Sequence, residues 1–156
     1  MIRYADLHVH VGRTSGGRPV KVPASPGLTV AGIVEEAASR KGLDVVALVD
    51  SHVPGVARDM AALLERGEAR VPPGGGLLVR DALLLVPAVE VEVTVGASRA
   101  HFLLYLPSLE AAREVSDRLA GAGASTGASL PRLRGGVGRL WRLAEEAGGF
   151  CAPAHA

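Results

Sequence analysis

Residues 29–50 read TVAGIVEEAASRKGLDVVALVD, and two periodicities meet inside them. From Thr29 to Lys41 the apolar residues Val30, Ile33, Val34, Ala37 and Ala38 recur at helical spacing, which predicts a helix of about three turns. Thr29 is its candidate N-cap and Gly42 its stop. From Val45 to Val49 the chain is apolar without a break and ends at Asp50, the pattern of a strand buried on both faces in a parallel sheet.

Working outward, Arg3 to His10 (RYADLHVH) alternates, with Tyr4, Leu7 and Val9, and predicts a first strand. A loop rich in Gly, Ser and Pro runs from Val11 to Gly27. Downstream come a helical stretch near Val56 to Arg66, a Pro/Gly turn at Pro72 to Gly76, and strands near Ala82 to Val93 and Ala100 to Leu106. A helix from about Ser108 to Leu119 and a loose segment from Gly121 to Gly136 precede a helix around Val137 to Ala147 and a short strand, Phe150 to Pro153. This order predicts an α/β architecture with a mainly parallel sheet, open or closed into a barrel. A complete α/β barrel usually needs more than about 200 residues. The 156-residue chain is therefore expected to be the N-terminal part of a longer fold.

Composition narrows the chemistry. Lys+Arg number 17 against Asp+Glu 16, a net charge of +1, which argues against a broad basic face for bulk nucleic-acid binding. Fifteen of the basic residues are arginine, so local clusters remain able to grip phosphates. No stretch reaches the ~18 to 20 apolar residues of a membrane span, and the N-terminus lacks the layout of a signal peptide. A cytoplasmic protein with no membrane association is the expectation, and no protein partner is inferable. The one cysteine, Cys151, excludes an internal disulfide and a cysteine-rich zinc site, leaving histidine and carboxylate as metal ligands.

All five histidines fall at or near predicted strand ends, where α/β folds gather their catalytic groups. His8 and His10 are two apart on a strand, so both rings leave one face and can chelate a divalent metal; Asp6 is expected on that face too. Asp50 closes the second strand, with His52 two positions on, and a carboxylate at such a dry strand mouth must be paired or metal-bound. Glu90 and Glu92 in VPAVEVEV share a face opposite Val89, Val91 and Val93. Glu90 is the candidate bridging carboxylate between two cations, while Glu92 reads equally well as a wet strand edge. His101 opens HFLLYL and His155 lies near the chain end; singly each is an ordinary structural histidine, but with HxH and two strand-end carboxylates they make a metal cluster. Imidazole mixed with carboxylate suits zinc, manganese or iron.

The strings DLHVH, VDSH, VEVEV, the His101 strand and PAHA, in this order, resemble the PHP (polymerase and histidinol phosphatase) superfamily of metal-dependent phosphoesterases. ADLHVHVGRTSGGRPVKV, RKGLDVVALVDSHVPG, HFLLYLPSLEAA and PAHA resemble the endonuclease Q type and its bacterial relatives, over essentially the whole chain. The resemblance implies a distorted (β/α)7 barrel, of which residues 1–156 would be a single PHP-like domain lacking its C-terminal strands and a final Asp-x-His ligand motif. It implies His8 and His10 as ligands of one metal, Glu90 as a bridging ligand, His101 and His155 as ligands of a second, and His52 in a third site or in substrate binding. In the commoner pattern of the superfamily the aspartate and histidine of the VDSH motif are adjacent; here Ser51 separates Asp50 from His52. Zinc, manganese or magnesium is implied, two or three ions in a complete domain.

The implied activity is a DNA repair endonuclease that cuts beside deaminated bases by metal-assisted hydrolysis, with Glu90, His8, His10 and Asp50 at the reacting centre and damaged DNA as partner. Arg13, Arg18 and Lys21 in the loop beside the first ligands are the candidate phosphate grip, and Arg132 is a further substrate contact. Arg134, Arg139 and Arg142 extend that second basic group, for which solvated surface is the default reading; Trp141 reads as core. Ser51, Ser125 and Thr126 have no visible base, which disfavours a serine hydrolase. VPPGGG lacks the lysine and strand-to-helix setting of a phosphate loop and reads as a hairpin or linker turn. Two alternatives stay open: a small-molecule phosphatase on the same scaffold, and a truncated, non-catalytic PHP module.

Overall fold

A computed structural model describes residues 2–21, 24–121, 130–133 and 136–155. The sequence features read at Ser125, Thr126 and Arg134 lie outside these residues.

The chain opens with β1 (Ala5–Val9) and, after a long loop, enters α1 (Val30–Glu35), which continues as a π-helical turn over Glu36–Lys41. Thr29 caps α1, its hydroxyl oxygen accepting from the Gly32 N–H at 3.1 Å, and the helix stops at Gly42, where φ is 61°. β2 (Val45–Leu48) and α2 (Pro54–Glu65) follow. Then come β3 (Ala69–Arg70), β4 (Leu77–Val79), the long β5 (Leu83–Val95) and β6 (Ser98–Tyr105). α3 (Leu109–Gly121), β7 (Arg132–Leu133), α4 (Val137–Glu146) and β8 (Phe150–Pro153) complete the described order.

The sheet is mixed, which corrects the expectation of a mainly parallel one. β1, β2 and β5 run parallel, as do β5 and β7, but β3–β4, β4–β5, β5–β6 and β6–β8 are antiparallel. The reason is connection length: Gly96, at φ 61°, sits in a tight turn between β5 and β6, far shorter than any parallel crossover. VPPGGG likewise joins the antiparallel β3 and β4. Among the described residues the sheet stays open, with β1 paired to β2 alone.

Pro87 marks where β5 changes partners. Before it β5 pairs with β2 and β4, and from Ala88 on it pairs with β6. Lacking an N–H, proline fits where a ladder is handed over. Side-chain alternation then divides three apolar groups. Val46, Leu48, Leu83 and Leu85 pack with α1 and α2, while Val89, Val91 and Val93 pack with α3 and α4. On the opposite face Ala47, Val49, Ala88, Leu103 and Tyr105 form a third group of mostly small residues. Glu90, Glu92 and His101 share that face by period two.

Trp141 corrects its reading as core: it is 46% exposed, because Leu140, Leu143 and Ala144 fill the buried stripe of α4 and Trp141 lies about 100° beyond Leu140. Arg139 and Arg142 are exposed on the same helix.

Candidate metal centre

Glu90 is the hub of the inner face. It is 1% exposed, and a carboxylate buried to that degree needs partners. Its Oε1 lies 3.1 Å from His101 Nδ1, 3.5 Å from His8 Nε2 and 3.5 Å from His155 Nε2. Its Oε2 lies 3.2 Å from His10 Nε2. The rings of His8 and His10 are 5.2 Å apart, those of His8 and His155 5.0 Å, and those of His101 and His155 5.7 Å.

Local structure explains each placement. β5 and β6 pair so that Glu92 faces His101 directly, which leaves Glu90 diagonal to His101 and within reach of its ring. The Ala154 N–H donates to the His101 carbonyl at 2.9 Å, tying the end of β8 to β6. His155 follows in left-handed backbone, at φ 57°, unusual for a residue with a Cβ and suited to turning its ring back toward Glu90. On β1 the register slips between Asp6 and Val9, so three steps on β1 match two on β2. That bulge corrects the placement of Asp6, which instead faces α1 in a cleft with Val9, Ile33 and Ala37 and accepts the His8 backbone N–H at 3.2 Å.

Two ligand groups result, His8 with His10 and Glu90, and His101 with His155 and Glu90, each with its ligand atoms within 4.8 Å of one another. Their chemistry fits a divalent ion, because His8 Nε2 and Glu90 Oε2 are buried with no hydrogen-bond partner among the described residues although imidazole and carboxylate atoms converge there. Burial opposes charge on His10, but Asp50 and Glu90 outweigh it and raise the imidazole to about 9. Burial would raise Glu90, yet His10, Lys21 and His8 bring it down to about 2. His8 is lowered, chiefly by burial, against the pull of Glu90.

No family model matches the chain. It is 31% identical over 153 residues to the uncharacterized protein YqxK of Bacillus subtilis (strain 168), covering 97% of this chain and 40% of YqxK. Its fold superposes on endonuclease Q in complex with a 27-mer duplex carrying an abasic lesion at the active site, with a TM-score of 0.72 and 25% identity over 97% of this chain. Fold and sequence together make the chain similar to endonuclease Q. The lesion-specific endonuclease PfuEndoQ from Pyrococcus furiosus has the same fold, with a TM-score of 0.75 at 23% identity. The chain spans 40% of YqxK, and 35% and 34% of the two endonuclease Q chains.

In this endonuclease Q-like chain the remaining candidates scatter. Asp50, fully buried, accepts the Val11 N–H at 2.9 Å and holds His10 Nδ1 at 3.0 Å through one oxygen, so it touches a ligand and lies outside both ligand groups. His52 is 4% exposed and joins neither group; with Ser51, Arg58 and Arg113 it lines a cavity of about 380 Å³ between α2 and α3. The intervening Ser51 is fixed in the turn, its N–H donating to the Ala88 carbonyl and its hydroxyl to the Leu48 carbonyl, and His52 follows it into that cavity. Arg13 and Arg18 are exposed on the loop, Arg18 beside a different cleft with Thr14 and Asp59. Arg132 pairs with Glu92 at 3.1 Å, and Arg99 lies 3.6 Å from the same oxygen. Of Arg13, Arg18 and Lys21, it is Lys21 that reaches the cluster, with Nζ 3.6 Å from Glu90 Oε2.

Proposed function

We propose that the chain is a metal-dependent phosphoesterase acting on DNA, an endonuclease of the endonuclease Q type that cuts beside deaminated bases. The observation that carries this reading is Glu90, one buried carboxylate shared by two histidine groups. On this reading residues 1–156 form one PHP-like domain and the open sheet is the corresponding part of a (β/α)7 barrel. The endonuclease Q relative bound to a lesion-bearing duplex supports DNA as the partner.

His8 and His10 would hold one ion and His101 and His155 a second, with Glu90 common to both groups. Divalent ions held there would supply Lewis acidity toward a phosphate oxygen and would lower the pKa of a bound water. Asp50 accepts from the outer nitrogen of His10, fixes the tautomer and turns Nε2 inward. Zinc, manganese and magnesium are the ions to try. His52, apart from both groups, serves substrate binding from its cavity rather than metal ligation.

The test is a duplex with one deoxyinosine, incubated with the protein and each ion in turn. A single metal-dependent cut beside the lesion, lost in Glu90→Ala, is the expected result. Hydrolysis of small phosphate esters with the duplex intact would replace DNA by a small-molecule substrate. No bound metal and no hydrolysis would make the chain a non-catalytic module.

A further inference from the structure

The loop after β1 is a built hairpin and not a loose tether. The Val20 N–H donates to the Gly12 carbonyl at 2.9 Å, the Lys21 N–H to the Val11 carbonyl at 3.1 Å, and the Thr14 N–H to the Arg18 carbonyl at 2.9 Å. Its root is crowded, since a Cβ on Gly12 would lie 2.1 Å from the Ser25 carbonyl oxygen. Its tip is moored to α2, where Asp59 accepts from the Ser15 N–H and hydroxyl. These bonds set Lys21 opposite Val11, the residue after His10, and aim its ammonium at Glu90.

The ammonium lies 3.6 Å from Glu90 Oε2, with its side chain 26% exposed. Oε2 is also the oxygen nearest His10 Nε2, so a cation held by His8, His10 and Glu90 and the Lys21 ammonium draw on the same carboxylate. Two cations this close repel, and at a half-buried site solvent screens them weakly. Lysine is a compact charge on a flexible stem, able to leave one oxygen for another without moving the backbone.

We propose that Lys21 is an internal competitor for the metal site: its ammonium neutralises Glu90 in the metal-free protein and, displaced by divalent ions, takes a phosphate oxygen of the substrate. The proposal rests on the metal-centre reading above and adds an ordering to it. Metal loading releases the phosphate-binding cation, so phosphate binds well only to the loaded protein. The contact with Glu90 also spares the empty site an uncompensated buried carboxylate.

Calorimetric titration of manganese into the protein and into Lys21→Gln and Lys21→Arg tests this. Lys21→Gln should bind manganese roughly tenfold tighter, and Lys21→Arg, which keeps the charge, about as the parent does. Inorganic phosphate titrated into the manganese-loaded proteins should bind Lys21→Gln roughly tenfold more weakly than the parent. Equal manganese affinity in parent and Lys21→Gln would overturn the competition. Tighter manganese with unchanged phosphate binding would overturn the release onto phosphate. If neither parent nor variant bound manganese while both kept their circular dichroism spectrum, the metal-centre reading itself would fall.

Discussion

Asp50 Oδ2 stands 3.0 Å from His10 Nδ1 while His10 Nε2 stands 3.2 Å from Glu90 Oε2, so one imidazole bridges two buried carboxylates. The same Asp50 oxygen accepts the Val11 N–H at 2.9 Å, which fixes the carboxylate to the backbone at the start of the Lys21 hairpin. On the proposed reading Asp50 positions His10, and its effect should reach metal binding through that ring.

Asp50→Asn should therefore weaken manganese binding by about 10- to 100-fold, the usual cost of losing such an outer partner. Metal content after dialysis measures it. Asp50→Asn with unaltered affinity would remove Asp50 from the centre.

Glu90 is shared and the histidines are not, so stoichiometry separates them. Glu90→Gln should lose metal at both groups, whereas His8→Ala and His155→Ala should each lose it at one. Elemental analysis of the three variants reads this directly. Full metal content in Glu90→Gln would contradict the bridging arrangement.

The metal-free protein should carry a pH signature. Glu90 is lowered from 4.5 to about 2, so its contribution is present above pH 4.5 and fades as pH falls toward 2. His10 is raised from 6.5 to about 9, so its contribution is present below pH 6.5 and is lost as pH rises through 9. His8, lowered from 6.5, subtracts stability as pH drops below that value, which places the optimum toward the upper end of the window. Melting temperatures of chelated protein should decline from pH 7 to 9.5, and manganese affinity should rise over the same range as His10 sheds its proton. A melting temperature that climbs over that range would exclude this pairing.

Gly55 lets the hairpin approach α2: a Cβ there would sit 2.5 Å from Thr14 Cγ2. Thr14 is buried, and its hydroxyl oxygen accepts the Arg18 N–H, so displacing it disturbs the turn. Gly55→Ala should cost about 1–3 kcal/mol of stability and weaken phosphate binding more than metal binding. Urea denaturation and the two titrations check it; weakened metal with phosphate intact would reverse the assigned role of the hairpin.

Much of the site was legible from period two. VPAVEVEV places Glu90 and Glu92 opposite the valines that pack on α3 and α4, and that is how β5 lies. The helix from Thr29 to Gly42 and the strand Phe150–Pro153 were legible for similar local reasons, a cap, a left-handed stop and an apolar run. Asp6 was not, because a bulge depends on the partner strand and reverses which side chains share a face. His52 was not either, since the turn at Ser51 is set by the carbonyls of Ala88 and Leu48.

The sequence by itself determined which groups are available: five histidines, Glu90 and Glu92 in an apolar strand, Asp50 and a single thiol, a ligand set of nitrogen and oxygen whatever the fold. Local periodicity also determined the faces from which most of them project. Only the tertiary structure decided that His8, His10, His101 and His155 meet at one carboxylate, that Asp50 lies against His10 outside both groups, and that Lys21, among the described loop residues, is the cation placed beside it. Convergence of that kind is fixed by strand register and hydrogen bonds that bring together residues as far as 147 positions apart, as His8 and His155 are, relations that no local pattern encodes.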